Sequence, residues 1–304
     1  MGIFPTRILL ATDGSEEAAR ATETALGLAQ KTGSGLHVVH VLVWSPSGPR
    51  DPVAFDPAVR EEVRGRARER LEELVGEIEA SGGAVEGSRL RVGRPDAQIV
   101  AEAEEAGAGL IVMGSRGFGR VRRALTGSVS DSVVRHAHCP VLVTRGEPAN
   151  FPAKILLATD GSEEADLAAS ACAELTKTTG SELHVVCVQP ASYVFEMADW
   201  EAARADFAEE LERASERMAE STLEAQVQKI REAGGEISGA HARVGFPDAE
   251  IVGLAGSLGA GLIVIGSRGR GPLRRALMGS VSDSVVRHAH CPVMVVRPEK
   301  VEAA

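Results

Sequence analysis

The sequence predicts an α/β fold written twice: two tandem doubly wound domains, each with a five-stranded parallel sheet. Three observations predict it. The run Ile8-Leu9-Leu10-Ala11-Thr12-Asp13-Gly14-Ser15-Glu16-Glu17-Ala18 recurs unchanged at 155–165, and Ser128 through Val141 recurs unchanged at 280–293. Short apolar runs alternate with segments of helical periodicity along each copy, the pattern of a parallel sheet covered on both faces. Each copy is also about 150 residues long, which is domain-sized and too long for a solenoid repeat. The offset between copies grows from 147 near the start to 152 at the later motif, so the second copy carries five extra residues in between. We read the domains as 1–147 and 148–304, joined at the Gly/Pro-bearing stretch from Arg145 to Pro152.

In the first copy, Ile8–Ala11 is an apolar strand. Ser15 caps a helix whose first turn carries Glu16 and Glu17, as the helix dipole favours. Gly33 and Gly35 end that helix, and Leu36–Val43 follows as a strand. After a Pro/Gly-rich loop from Ser45 to Pro57, the residues Val59, Val63, Ala67, Leu71, Leu74, Val75 and Ile78 fall at helical spacing. Gly82-Gly83 breaks this helix ahead of strand Val85–Val92. Pro95 starts the next helix, with Ile99 and Val100 turned inward, and Gly107 and Gly109 precede strand Leu110–Met113. A fourth helix follows a glycine-rich loop. Pro140–Thr144 closes the copy, matched by Pro292–Arg297 in the second. In such sheets ligands sit beyond the C-terminal strand ends, where the strand order reverses. The first strand, ending at Thr12-Asp13, and the fourth, ending at Gly114, flank that crevice.

Composition narrows the function. A net charge of −10 argues against a nucleic-acid or membrane-surface binder, which needs a basic face. No apolar run approaches the ~20 residues of a spanning helix. The start, Met1 to Arg7, lacks a signal-peptide h-region, so no leader is expected, and Gly2 lacks the downstream Ser/Thr of a myristoylation signal. Four cysteines without CxxC spacing fit a reducing cytoplasm.

The chemistry concentrates in a loop that reads G-x2-G-x9-G-S in both copies: Gly114, Gly117, Gly127 and Ser128, then Gly266, Gly269, Gly279 and Ser280. Each loop lies between an apolar strand and a helix. Glycines there let backbone N–H groups approach oxyanions, and the helix N-terminus adds a favourable dipole. The pattern therefore points to a nucleotide in each half. It is neither a Walker A loop, since no Gly-Lys-Ser/Thr follows, nor the dinucleotide fingerprint, since Gly117 and Gly119 lack the third glycine. Arginines supply cationic charge instead: Arg116, Arg120, Arg122 and Arg123, with Arg268, Arg270, Arg274 and Arg275 in the second copy. Asp13 and Asp160 end the first strands, where a carboxylate can accept from ribose hydroxyls or an adenine amino group, or cap the following helix. His136-Ala137-His138-Cys139, repeated at 288–291, has neither the spacing nor the fourth ligand of a metal site, and its histidines suit a helix C-terminus. No Ser-His-Asp or paired-carboxylate arrangement follows from spacing, and no catalytic residue or protein metal ligand is expected.

On the opening Ala-Thr-Asp-Gly-Ser strand end, the G-x2-G-x9-G-S-V-S loop and the closing Arg-His-Ala-x-Cys-Pro-Val, the chain resembles the universal stress protein family in its tandem two-domain form. The resemblance covers both halves almost end to end. It implies a Rossmann-like sheet, ATP bound with Mg²⁺, and sister domains paired through their last strands, with self-association of whole chains expected beyond that. It places Ala11, Thr12, Asp13 and Val41 around adenine and ribose, and Gly114, Gly117, Gly127, Ser128, Val129 and Ser130 on the phosphates. Ser115, Arg116, Gly119 and Arg120 complete that loop. The second-copy counterparts are Ala158, Thr159, Asp160 and Val188, then Gly266, Ser267, Arg268, Gly269, Gly271, Gly279, Ser280, Val281 and Ser282. Ala11 and Ala158 stand where many relatives carry Gly or Pro, and Pro272 stiffens the second spacer. The expected function is that of a cytoplasmic, ATP-binding regulatory protein of the stress response, with one site per domain. The rival readings are a slow ATP hydrolase or adenylate-transferring enzyme, and a scaffold whose sites stay empty. No protein partner is named by the sequence.

Overall fold

A computed structural model describes residues 4–43, 56–115, 127–146, 151–190, 203–269 and 278–298, with the backbone alone over 203–208. The chain divides into two compact units between Arg145 and Gly146. The first runs β1 (Arg7–Thr12), α1 (Glu16–Thr32), β2 (Gly35–Leu42), α2 (Pro57–Ala80), β3 (Val85–Val92), α3 (Pro95–Glu105), β4 (Leu110–Gly114), α4 (Ser128–His136) and β5 (Val141–Thr144). The second repeats it as β6 (Lys154–Thr159), α5 (Glu163–Thr179), β7 (Glu182–Pro190), α6 (Ala203–Glu232), β8 (Gly239–Gly245), α7 (Pro247–Leu258), β9 (Leu262–Gly266), α8 (Ser280–His288) and β10 (Val293–Val296).

Within the first unit the strand order is β3-β2-β1-β4-β5, and within the second β8-β7-β6-β9-β10. Every neighbouring pair within a unit is parallel. The first strand of each unit therefore lies between the second and the fourth. The order in which successive strands are added reverses at that junction, which opens the crevice of a doubly wound sheet. Ile8, Leu9 and Leu10 of β1 and Leu110, Ile111 and Val112 of β4 are all fully buried, as strands covered on both faces must be.

Most boundaries fall within a residue of the pattern. The exception with a physical reason is Gly35. Gly33 alone closes α1, in the left-handed conformation at φ +68°. Gly35 instead opens β2, where a Cβ would collide with the Glu86 side chain of the neighbouring strand. Val100 is half-buried while Ile99 is buried. None of the four cysteines is joined in a disulfide. Among the described residues no helix is long and apolar enough to cross a membrane.

Candidate functional site

The loop after the first strand is built the same way in both units. The Thr12 hydroxyl accepts the Gly14 N–H at 3.2 Å, Asp13 Oδ1 accepts the Ser15 N–H at 3.0 Å, and Ser15 Oγ accepts the Ala18 N–H at 3.2 Å. In the second unit Thr159, Asp160 and Ser162 make the corresponding bonds at 3.1, 3.0 and 3.3 Å. Gly14 and Gly161 sit at φ +81° and +72°, which only glycine adopts without strain. The N-termini of α1 and α5 are thus sealed by their own side chains and followed by acidic first turns, so they do not invite an anion. One oxygen of each aspartate is engaged in this turn.

The helix after the glycine loop is different. Gly127 and Gly279 stand at the N-caps of α4 and α8 without a side-chain capping bond, each followed by the first-turn amide of Ser128 or Ser280. What holds each helix end in place is a clamp at the loop base. The Ser115 carbonyl accepts the Gly127 N–H at 2.8 Å and the Ser130 hydroxyl at 3.1 Å, and the Ser267 carbonyl accepts from Gly279 at 2.8 Å and Ser282 at 3.0 Å. Ser130 and Ser282 are buried, and their hydroxyl protons point at main-chain carbonyls. Ser115 and Ser267 are in turn tied to the last strand of their unit, through their N–H groups to Thr144 and Val296 carbonyls at 2.9 and 2.7 Å.

Gly114 and Gly266 end β4 and β9, and their missing side chains serve packing. A Cβ on Gly114 would lie 2.9 Å from the Glu17 carbonyl, and one on Gly266 would lie 3.0 Å from the Glu164 carbonyl carbon. Gly269 is bare for another reason: a Cβ there would run into Asp160 Oδ2. The start of the glycine loop and the end of the first strand therefore meet in the second unit. Arg268, expected at a polyphosphate, faces Glu164 of α5 at 3.5 Å. Val41 and Val188 are buried at the ends of β2 and β7, and Ala11 and Ala158 are buried one residue short of the strand ends. Val129 and Val281 lie in the first turns of α4 and α8. Arg116, Gly117, Gly119, Arg120 and Gly271, with Arg122, Arg123, Arg270, Pro272, Arg274 and Arg275, lie outside the described residues.

Three residues beside these strand ends were not among those expected. The His40 ring nitrogen Nδ1 lies 2.9 Å from the Thr12 carbonyl, where the second unit carries Cys187. The Arg70 guanidinium of α2 covers Gly14, its Nε 3.2 Å from where a Cβ would stand. The Gln226 side chain of α6 accepts the Thr159 hydroxyl at 2.9 Å through Oε1, while its Nε2 is buried without a hydrogen-bond partner among the described residues. Each is a place where the two copies differ in polarity, which is the signal that singles them out.

Away from the crevice, spacing hid one constellation. The Ser132 hydroxyl donates to Asp96 Oδ2 at 2.7 Å, and His136 Nδ1 lies 2.7 Å from the Ser132 carbonyl. Ser284, Asp248 and His288 repeat it at 2.6 and 2.8 Å. This is a tie between helices, not a nucleophile. The serine gives its proton to a carboxylate held down at about 2, chiefly by the Arg94 side chain and also by Ser132 and the Ala97 N–H, too weak a base to activate it. The histidines complement the helix C-terminus as their position implied.

Fold and crevice together define a doubly wound α/β protein with a crevice at the strand-order reversal of each half. The chain belongs to the universal stress protein family, whose family model matches residues 5–145 and again 153–297. A universal stress protein of Mycobacterium bovis is 33% identical over 198 residues, covering 62% of this chain and 61% of that one, so the chain spans about three fifths of that relative's length. A universal stress protein of Mycolicibacterium smegmatis is 29% identical over 310 residues, covering 96% of this chain and 97% of the relative. Among solved structures, a universal stress protein from Archaeoglobus fulgidus superposes with a TM-score of 0.71 at 27% identity, covering 99% of both chains. One from Pseudomonas aeruginosa, at 21% identity and a TM-score of 0.66, shares the fold.

Proposed function

We propose that each half of the chain binds one ATP, and that the protein acts as a nucleotide-dependent regulator rather than as an efficient catalyst. The observation that carries this reading is the duplicated uncapped helix end. In both halves the helix after the glycine loop starts at the end of the fourth strand, which pairs with the first, and a clamp at the loop base fixes it there. Such an end favours an anion through its unpaired N–H groups and its dipole.

In this reading the amides of Ser128, Val129 and their counterparts Ser280 and Val281 hold phosphate oxygens. Ser130 and Ser282 tie the helix start to the end of the fourth strand, since their protons are already given to carbonyls. Gly114 and Gly266 let the preceding helix pack close. Gly269 lets the backbone pass near the ligand, a role its matching sequence position assigns to Gly117, and the Asp13 and Asp160 carboxylates lie toward the sugar or the base. Ala11, Thr12 and Val41, with Ala158, Thr159 and Val188, line the base end. Mg²⁺ would travel with the nucleotide, held by phosphates and water, because the described residues bring together no group of three or more His, Cys, Asp or Glu.

Nothing in this set selectively stabilises a transition state, so turnover is expected to be slow. Nucleotide released by denaturing purified protein, separated by chromatography, tests the reading. ATP or ADP approaching two equivalents per chain is expected, and protein that neither retains nucleotide nor takes up added ATP would overturn it.

A further inference from the structure

The two halves carry different side chains beneath the same strand end. Ile78 and Ile230 hold equivalent places, since the N–H groups of Gly83 and Gly235 bond to their carbonyls at 2.9 Å each. Counting back along both helices, Leu74 of α2 corresponds to Gln226 of α6, and Arg70 corresponds to Thr222. In the second half the buried Thr159 hydroxyl donates to Gln226 Oε1 at 2.9 Å and accepts from Gly161 at 3.1 Å. Its one proton is committed. In the first half the half-buried Thr12 hydroxyl accepts the Gly14 N–H at 3.2 Å, and the corresponding α2 residue, Leu74, has no atom to receive its proton.

The fold does not require Gln226. Leucine fills the same place in the other half, and the glutamine leaves its Nε2 buried and unpaired, a cost that an apolar side chain avoids. Arg70 adds a second difference. It is exposed, lies over Gly14, and makes no ion pair among the described residues, whereas Thr222 carries no charge.

We infer that the two nucleotide sites are unequal, with Leu74/Gln226 and Arg70/Thr222 as the residues that set the difference. The first site offers its ligand the Thr12 proton and the Arg70 cation; at the corresponding positions, Thr159 and Thr222, the second offers neither. This rests on the nucleotide reading above. A neutral hydrogen bond and an exposed charge each contribute modestly, so the first site binds ATP tighter by about tenfold. The Arg70 share acts only on phosphate-bearing ligands and is screened by salt. The hydroxyl share acts on adenosine too.

Titration calorimetry on the full chain, with ATP and with adenosine, tests this. The wild type should show two classes of site, and Gly269→Val, which blocks the second half, should leave the tighter one. Gln226→Leu should tighten the weaker class for both ligands by about threefold to tenfold, with Gln226→Met as the substitute should that variant fold poorly. Arg70→Thr should weaken the tighter class for ATP and spare adenosine, with the loss fading as salt is raised. Two equal sites in the wild type would overturn the inference. So would a Gln226→Leu variant that shifts the melting temperature but neither affinity, or an Arg70→Thr loss that is the same for adenosine and ATP. A wild-type chain that binds no nucleotide would overturn the nucleotide reading itself, and this inference with it.

Discussion

Replacing Gly114 and Gly266 together by alanine separates a packing role from a ligand role. The added methyl on Gly114 would lie 2.9 Å from both the carbonyl carbon and oxygen of Glu17 and 3.0 Å from its Cβ. On Gly266 it would lie 3.0 Å from the Glu164 carbonyl carbon and Cβ and 3.1 Å from the oxygen. The obstacle is main chain in the first turn of a helix, and that turn is pinned by the Ser15 or Ser162 cap. Retreat of the helix therefore strains the cap, or the strand end must shift. Overpacking of this kind costs about 1–3 kcal/mol at each site. For a domain of this size that lowers the melting temperature by roughly 3–10 °C, followed by circular dichroism without ligand. Gly27 is the control. It lies inside α1 with nothing within 4 Å of a Cβ, so Gly27→Ala should raise stability by up to about 1 kcal/mol. A Gly114→Ala/Gly266→Ala protein that melts at or above the wild type would refute the packing argument.

The Asp96 carboxyl is lowered from 3.8 to about 2, with the Arg94 side chain as the main cause. Its stabilisation is present above pH 3.8 and is lost as pH falls through about 2. Because Arg94 is largely exposed, the effect is about 1 kcal/mol, and the stability gap between wild type and Asp96→Asn should close across that window in denaturant titrations. His241 is lowered from 6.5, by burial first and then by His184 and Arg243, and its ring nitrogen Nε2 lies 3.2 Å from His184 Nδ1. The folded state thus prefers the neutral ring, so stability is full above pH 6.5 and falls as pH drops below it. His241→Gln should flatten that slope, and an unchanged slope would exclude the His184–His241 contact as its source. Asp13→Ala and Asp160→Ala should each weaken ATP binding by roughly 1–3 kcal/mol at one site by calorimetry. Steady ATP turnover near the ~10 s⁻¹ median of ordinary enzymes would contradict the regulatory reading.

Local pattern carried most of the fold. Val59 to Ile78 reads as one helix because its apolar residues recur at helical spacing, and the all-apolar Leu110–Met113 reads as a strand buried on both faces. What stayed hidden depends on neighbours distant in sequence. Gly114 looks like a phosphate-loop glycine until Glu17 is seen packed against it. Ser130 looks like a phosphate donor until its proton is traced to the Ser115 carbonyl. The Thr159–Gln226 and Asp96–Ser132 bonds join residues 67 and 36 apart, and no local period reports such contacts. The mismatch of Leu74 with Gln226 was readable in the sequence, but its meaning required the strand end above it.

The number of ATP molecules bound per chain tests the central claim most directly. Calorimetric titration of the wild-type chain with ATP and Mg²⁺, beside Gly117→Val, Gly269→Val and the double variant, gives that number for each half. The account predicts two equivalents for the wild type, one for each single variant and none for the double variant, all with a folded circular dichroism spectrum. A double variant that still binds two equivalents, or a wild type that binds none, would contradict it.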